Sequence, residues 1–189
     1  MQQPLYLSEL RAAIEAGADA ILLLVGAADQ IAFLAQQENF GNELSTLTFP
    51  SAVTQTRNYI ASSRIPAPET NPRHRFALWE TTLASNGAGT FNDRFMTRWG
   101  EVTEPTAWAA YHSVQILFEA ALAAGSLDAS ALIQFLESPE AVFDVRKGPG
   151  VSFRSWDHQL RQPLYVVRVD QEAPWSWTSV TSRVGIAGL

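Results

Sequence analysis

An unbroken apolar run, AILLLV at residues 20–25, constrains the fold of this chain more than any other feature. It is apolar at every position and not only at alternate ones, which is typical of a central parallel strand with helices on both faces. Its length is far below the roughly 20 residues that a membrane-spanning helix needs. The run therefore predicts a buried strand of an α/β fold.

Helical patterns lie on either side of this strand. Ser8 is a plausible N-cap for a first helix that stops at Gly17. Asp29 is a plausible cap for a second helix that ends near Gly41, and residues 44–49 form the next strand candidate. The order helix, strand, helix, strand predicts an α/β fold in which helices flank a parallel sheet.

The rest of the chain continues with helices and ends in short strands. Residues 62–73 are proline-rich and predict a loop or linker. Beyond the loop, the patterns predict a strand at 74–80, an aromatic-striped helix at 92–99, a long helix from Pro105 to Gly125 and a further helix from Asp128 to Ser138. The last forty residues alternate with period two and predict a short β-rich tail of two or three strands.

Charge and composition exclude several classes of protein. The chain has thirteen basic and nineteen acidic residues, for a net charge of −6. This balance argues against a nucleic-acid partner. The absence of cysteine excludes disulfides and thiolate metal sites. The first ten residues have neither a basic segment nor an apolar core, so no signal peptide is predicted.

Residue types that serve in catalytic and metal sites are present, but not at the spacings that such sites need. None of His74, His112 and His158 has a partner at i+3 or i+4, so no metal site is expected. The glycine segments 86–89 and 148–150 lack the lysine and the strand–helix context of nucleotide-binding loops. The sequence therefore predicts no catalytic residue, metal or cofactor.

A dense polar stretch, WDHQLRQ at 156–162, directly precedes an apolar strand. Its Asp-His pair could belong to a catalytic site, with Ser152 and Ser155 near in sequence, but adjacency alone does not make a triad. Asp157 can bond to nearby backbone and hold a turn, and Pro163 can begin a strand where no N–H is required. A turn is the expected structure.

Four stretches in series resemble the second half of a type 1 periplasmic binding protein of the branched-chain amino-acid class, the solute receptors of ABC transporters. They are LSELRAAIEAGADAILLLVGAADQIAFLAQQENFG at 7–41, FNDRFMTRWGEVTEPTAWAAYHSVQILFEAALAAGSLD at 91–128, SALIQFLESPEAVFDVRKGPGVSF at 130–153 and WDHQLRQPLYVVRV at 156–169. The last stretch is most similar to a subgroup associated with PQQ-dependent alcohol dehydrogenase systems.

This resemblance implies a two-lobed periplasmic receptor that captures a small molecule, delivers it to an ABC permease of the inner membrane and does not transform it. It assigns residues 1–85 to part of the second lobe, 86–147 to a helical segment of the first lobe and 148–189 to a tail near the interlobe connection. The opening sheet of the first lobe would lie upstream, so the chain looks truncated. An apolar helical face would then need cover from the missing N-terminal lobe or a second copy: Trp108, Val114, Leu117, Phe118 and Leu122.

The resemblance also implies a ligand site. It carries the ligand-binding role to Ala27 and Ala28 after the first strand, Ser51 and Ala52 after the second, and Tyr111 in the long helix. The aromatic residue that covers the ligand in amino-acid receptors is missing from the first loop, and the acid that pairs with the ligand ammonium is missing from the second. A buried ammonium without a carboxylate is costly, so a small uncharged or non-amino-acid ligand is expected.

Two other functions remain open at this stage. One is a stand-alone α/β module that senses a ligand or regulates a partner. The other is a small hydrolase, which would require His112 or His158 to meet a nucleophile in space.

Overall fold

The chain divides into two units, each built from separated stretches of sequence. Unit 1 comprises Met1–Leu78 and Tyr165–Ser182, and unit 2 comprises Trp79–Leu164 and Arg183–Leu189, so the chain passes between the units three times. The structure is a computed structural model, and it describes residues 5–41, 44–48, 54, 56, 74–148, 150–169 and 177–184.

Unit 1 is an α/β unit that contains a parallel strand pair. Its helices and strands are α1 (Leu7–Glu15), β1 (Ala20–Leu23), α2 (Ala27–Phe40), β2 (Ser45–Thr48) and β3 (His74–Ala77). β1 and β2 pair in parallel from Ala20↔Ser45 to Leu23↔Thr48, as the sequence predicts.

The C-terminal strands complete a second sheet in unit 1. β6 (Leu164–Val169) lies between β3 and β7 (Trp177–Val184). β3 and β6 are antiparallel, and their ladder ends with the pair Ala77↔Tyr165. The predicted β-rich tail is therefore confirmed within the residues that the structure describes.

Among the residues that the structure describes, the core of unit 1 covers one face of β1. Leu23 packs with Leu10 of α1 and with Phe33 and Leu34 of α2. Because side chains alternate across a strand, the leucines on either side of Leu23 face the other way, and both are exposed. The prediction of burial on both faces is wrong for this reason.

Both predicted caps in unit 1 are displaced. α1 begins at Leu7, and the Ser8 hydroxyl donates to Glu9 Oε2 at 2.8 Å instead of capping the helix. Gly26 is the N-cap of α2, so Asp29 lies in its first turn. The helix ends as predicted at Gly41, whose φ of 68° is the left-handed conformation that glycine adopts without steric cost.

Unit 2 is mainly helical. It contains α3 (Ala88–Trp99), α4 (Pro105–Ala124), α5 (Ala129–Leu136) and a short antiparallel pair of β4 (Ser152–Phe153) with β5 (Leu160–Arg161). α4 has the predicted bounds, with Pro105 at its first position and Gly125 as a left-handed C-cap. The buried core residues are Trp79, Ala88, Phe91, Trp108, Ile116, Ala141, Phe143, Val145 and Val151.

The long helix α4 is apolar on two faces. Its buried residues recur every three or four positions: Pro105, Trp108, His112, Ile116 and Ala120. A second stripe, which we call the outer face, is exposed and comprises Val114, Leu117, Phe118 and Leu122. Trp108 was predicted in that exposed stripe, but it is 2% exposed, because it stacks on Trp79 and donates to the Val145 carbonyl.

One other prediction about a helix face is corrected. Only Phe91 of the predicted aromatic stripe in α3 is buried, whereas Trp99, two turns later, is exposed.

Within the described part of the chain, no single helix is long and apolar enough to cross a bilayer. The bent pair of α4 and α5, with an angle of 101° between them, meets the criteria of length and composition together.

The polar stretch before β6 is a turn, as the sequence predicts. Asp157 Oδ1 accepts a hydrogen bond from the Gln159 N–H at 3.2 Å, and the Asp157 carboxylate pairs with Arg154 at 2.5 Å. His158 has a φ of 59° and its N–H donates to the Arg154 carbonyl at 2.8 Å. The Asp-His pair thus holds backbone in place.

Candidate ligand-binding site

The loop after β1 is held by a buried glutamine of α2. The Gln30 side chain donates from Nε2 to the Val25 carbonyl at 2.9 Å, and its backbone N–H donates to the Gly26 carbonyl at 2.9 Å. Ala27 opens the helix and is half-buried, and Ala28 is exposed. This loop therefore presents small, uncharged side chains on a fixed backbone.

The parallel register places the ends of β1 and β2 at one edge of their sheet, because Leu23 lies opposite Thr48. In open α/β sheets, ligands bind beyond the carboxyl ends of the strands. Ala27 and Ala28 follow β1 at this edge. Ser51 and Ala52 lie outside the described residues, so their predicted role stays a prediction.

Tyr111 is the predicted site residue of unit 2. Its ring is partly exposed on α4 and packs against Phe91 at 5.0 Å and His112 at 5.1 Å between centroids. The ring is therefore held on two sides and has a free surface. Ala27 and Ala28 belong to unit 1 and Tyr111 to unit 2, and each is described within its own unit.

His112 occupies the position next to Tyr111 and is 2% exposed. Its Nδ1 lies 2.9 Å from the Trp108 carbonyl oxygen, which can only accept, so Nδ1 carries the proton. The buried Nε2 has no hydrogen-bond partner among the described residues. Burial lowers the pKa of His112 below its usual value of 6.5, so the imidazole is neutral at neutral pH.

The two described histidine side chains have different surroundings. Four aromatic rings lie within 6.5 Å of the His112 ring, from Trp79, Phe91, Trp108 and Tyr111. His158 Nδ1 pairs with Glu137 Oε1 on the protein surface. No group of three or more metal-ligating side chains occurs within the described ranges.

Sequence reasoning missed Lys147. Its amino group is buried in the core of unit 2, and Nζ lies 3.9 Å from the centroid of the Trp108 ring. One signal was available, because Lys147 is the only lysine of the chain. The glycines and proline that follow it indicate a surface turn, which conceals its burial.

The fold and this arrangement of loops define an α/β protein. The family model of the periplasmic binding proteins matches residues 5–174. The chain belongs to this family and has the type 1 periplasmic-binding-protein fold.

Solved structures agree on the fold. A leucine-binding protein from Thermotoga maritima matches with a TM-score of 0.72 at 14% identity, over 98% of this chain and 49% of that one. A branched-chain amino-acid ABC transporter periplasmic ligand-binding protein from Burkholderia xenovorans has a TM-score of 0.68 at 19% identity, over 97% and 48%.

A third neighbour was solved with a ligand. It is a solute-binding protein of an ABC transporter from Rhodopseudomonas palustris in complex with 3,4-dihydroxybenzoic acid, with a TM-score of 0.61 at 15% identity, over 96% of this chain and 49% of that one. The chain thus spans about half the length of the structures that it matches. No curated protein matches it at a significant level.

Proposed function

We propose that the chain is part of the solute-binding component of an ABC-type transport system. In this role it captures a small molecule reversibly in the periplasm and presents it to an ABC permease of the inner membrane. The observation that carries the proposal is the family match over residues 5–174. The neighbours that are named as ligand-binding proteins of ABC transporters support it.

The proposal includes release of the ligand without chemical change. His112 is the most deeply buried candidate base. Its Nδ1–H donates to the Trp108 carbonyl, and aromatic rings surround the imidazole. His158 is engaged with Glu137. Both contacts support a carrier over a small hydrolase, since a general base must reach the proton that it removes.

We propose a small ligand that is uncharged, or at least not an amino acid, bound by Ala27, Ala28, Ser51, Ala52 and Tyr111. The loop after β1 supports this class, because it offers alanine side chains and no aromatic cover. The loop after β2 contains no acid to pair with an ammonium, and an unpaired buried charge is costly. The relative that holds 3,4-dihydroxybenzoic acid supports ligands other than amino acids in this fold.

The order of the motifs supports a finer placement within the family. We propose that the chain corresponds to the C-terminal half of a receptor, with 1–85 in the second lobe, 86–147 in the first and 148–189 near their connection. Its span of about half the length of the matched structures agrees with this proposal. The sequence of residues 156–169 favours the subgroup associated with PQQ-dependent alcohol dehydrogenase systems.

The outer face of α4 supports a partner for unit 2. Its four side chains are all more than half exposed, and the helix carries only one charged residue, Glu119. Apolar patches of this kind mark interaction sites. We propose that the rest of a longer receptor covers the outer face. When that part is absent, we propose that a second copy of the chain covers it.

A thermal-shift screen tests the ligand class. The chain would be heated with leucine, 3,4-dihydroxybenzoate, short-chain alcohols and a neutral quinone, each at fixed concentration. A neutral compound is expected to raise the unfolding midpoint, since saturation to 100 times Kd stabilises by about 2.7 kcal/mol. Tyr111→Ala should abolish the shift and Trp156→Ala should retain it. A shift by micromolar leucine would contradict the proposed ligand class.

Light scattering after size exclusion tests the partner surface. The unaltered chain is expected to self-associate, and Phe118→Ser should reduce its mass towards that of a monomer. Trp156→Ser is the matched control, because Trp156 is 62% exposed and Phe118 is 64% exposed. A monomeric unaltered chain that binds no apolar dye would contradict an uncovered outer face.

A further inference from the structure

Lys147 differs from every other basic residue of the chain. The other twelve lysine-or-arginine positions are arginines, and Lys147 is 1% exposed. An arginine stays charged wherever it is placed, whereas a lysine can lose its proton when it is buried. Among the basic residues whose burial the structure describes, the fully buried one is therefore the residue that can become neutral.

The partners of Lys147 lie just before a passage of the chain from unit 2 to unit 1. Nζ donates to Gln162 Oε1 at 2.7 Å and to the Pro163 carbonyl at 3.3 Å. Leu164 follows and is the last residue of unit 2 before the chain enters unit 1 at Tyr165. Lys147 thus fixes this segment on the unit 2 side.

The same lysine is connected to a second passage through two indole rings. Nζ lies 3.9 Å from the Trp108 ring centroid, and Trp108 stacks on Trp79 with centroids 5.6 Å apart and planes 11° apart. Trp79 is the first residue of unit 2 after β3. The series Trp79–Trp108–Lys147–Gln162, which we call the anchor, therefore joins the two passages inside unit 2.

On the unit 1 side, a ladder joins the same two passages. Its last pair is Ala77↔Tyr165. Between this pair and the anchor, the first passage contains Leu78, and the second contains Leu164 and Pro163, whose carbonyl also accepts from Lys147. Both passages are therefore restrained within one or two residues on either side.

We propose that Lys147 is a positioning residue that fixes two of the three passages between the units to one point in the core of unit 2, and that acid loosens this anchor. The proposal does not depend on the identity of the transported ligand. A proton added to the amine would place a charge in a closed site, and solvation of that charge favours opening.

Other charged and titratable groups lie near the anchor, among them Glu80, which follows Trp79 and is 1% exposed. His112 lies on α4, and Asp144 and Arg146 lie on the segment that carries Lys147. Arg161 precedes Gln162 on the facing segment. Burial lowers the pKa of Lys147 from 10.5 to about 6, so opening becomes progressively more favourable as the pH falls from 10.5 towards 6.

Amide hydrogen exchange tests the anchor. Protection factors would be compared for peptides over 77–80 and 162–166 in the unaltered chain and in Lys147→Met, at pH 7.5 and pH 5. At pH 7.5, Lys147→Met should lower protection about tenfold in both peptides, the equivalent of one to two net hydrogen bonds. In the unaltered chain, a change from pH 7.5 to pH 5 should lower the protection of both peptides by a similar factor. Peptides from the centre of α4 are the reference, and their protection should change less.

Each outcome decides one part of the proposal. If Lys147→Met leaves protection of 77–80 unchanged, the connection through Trp108 is wrong, and if it leaves 162–166 unchanged, the anchor itself is wrong. Should this variant fail to fold, Gln162→Leu removes the acceptor, keeps the lysine and should lower protection of 162–166.

The charge of Lys147 can be followed directly, because ¹³C-lysine labelling gives a single set of side-chain resonances. The Cε shift is expected to titrate in the mildly acidic range. Titration near pH 10.5, the ordinary lysine value, would overturn the acid sensitivity.

Discussion

The indole of Trp108 stacks on that of Trp79 and donates from Nε1 to the Val145 carbonyl at 3.1 Å. One side chain therefore ties the start of unit 2 to the segment that leads into Lys147. The two rings are both buried and lie 29 positions apart in sequence, so their contact is a tertiary one. It positions the lysine and closes the core.

Substitution of Trp108 by Phe should destabilise unit 2. The change removes the hydrogen bond to Val145 and leaves a gap beside Trp79, which together cost about 2–4 kcal/mol of unfolding free energy. Urea denaturation measures the loss. Trp156→Phe is the control, since an exposed substitution is expected to stay within about 0.5 kcal/mol. Equal effects of the two variants would contradict a structural role for the stacked pair.

The stability of the chain should rise with pH because of Lys147. Burial lowers its pKa to about 6 from 10.5, so between these values the unfolded chain binds a proton that the folded chain does not. The unfolding free energy then increases with pH by up to about 1.4 kcal/mol per unit, and this contribution is lost as the pH falls towards 6.

The comparison of slopes isolates this contribution. Urea unfolding at pH 6.5, 7.5 and 8.5 should give a steeper increase for the unaltered chain than for Lys147→Met, because every other titrating group is common to both. Parallel slopes would show that the folded lysine titrates at its ordinary value.

His112 should titrate at a lower pH than an ordinary histidine. Burial lowers its pKa, and the positive charges of Arg146 and Lys147 act in the same direction. Its stabilising contribution is therefore fully present above pH 6.5 and is lost as the pH falls through the folded pKa.

Nitrogen-detected NMR of the imidazole checks both the tautomer and the titration. The Nδ1–H form should dominate at pH 7, because Nδ1 donates to the Trp108 carbonyl. Lys147→Met should raise the His112 pKa, since it removes one of the opposing charges. An Nε2–H tautomer would contradict the hydrogen bond.

Gly150 should not tolerate a side chain. An added Cβ would overlap Val142 Cγ1, in the segment where Phe143 and Val151 form an antiparallel bridge. Gly150→Ala is expected to cost about 1–3 kcal/mol, as overpacking does. Combination with Val142→Ala should restore most of the loss in thermal unfolding. Failure of that rescue would place the strain elsewhere.

Local signals in the sequence predicted the bounds of helices and strands better than they predicted which side chains are buried. α4 begins at Pro105 and ends before Gly125 as predicted, because the starting proline and the left-handed glycine act within one turn. The parallel pairing of β1 and β2 also followed from the order of elements. The burial of Trp108 did not, since it depends on Trp79 and Val145, which are distant in sequence.

The candidate site was predictable only in part. Tyr111 lies on a helix as expected, and part of its ring is exposed. Lys147 was not found, because residues 39 positions before it and 15 positions after it create its environment. Side-chain periodicity says nothing about such contacts.

The burial of its one lysine leaves this protein with an unusual chemical exterior. Reagents that acylate primary amines would find guanidinium groups on the folded surface but no lysine side chain to modify. Lys147 would react only after unit 2 opens, so the extent of its acylation would serve as a built-in gauge of local unfolding.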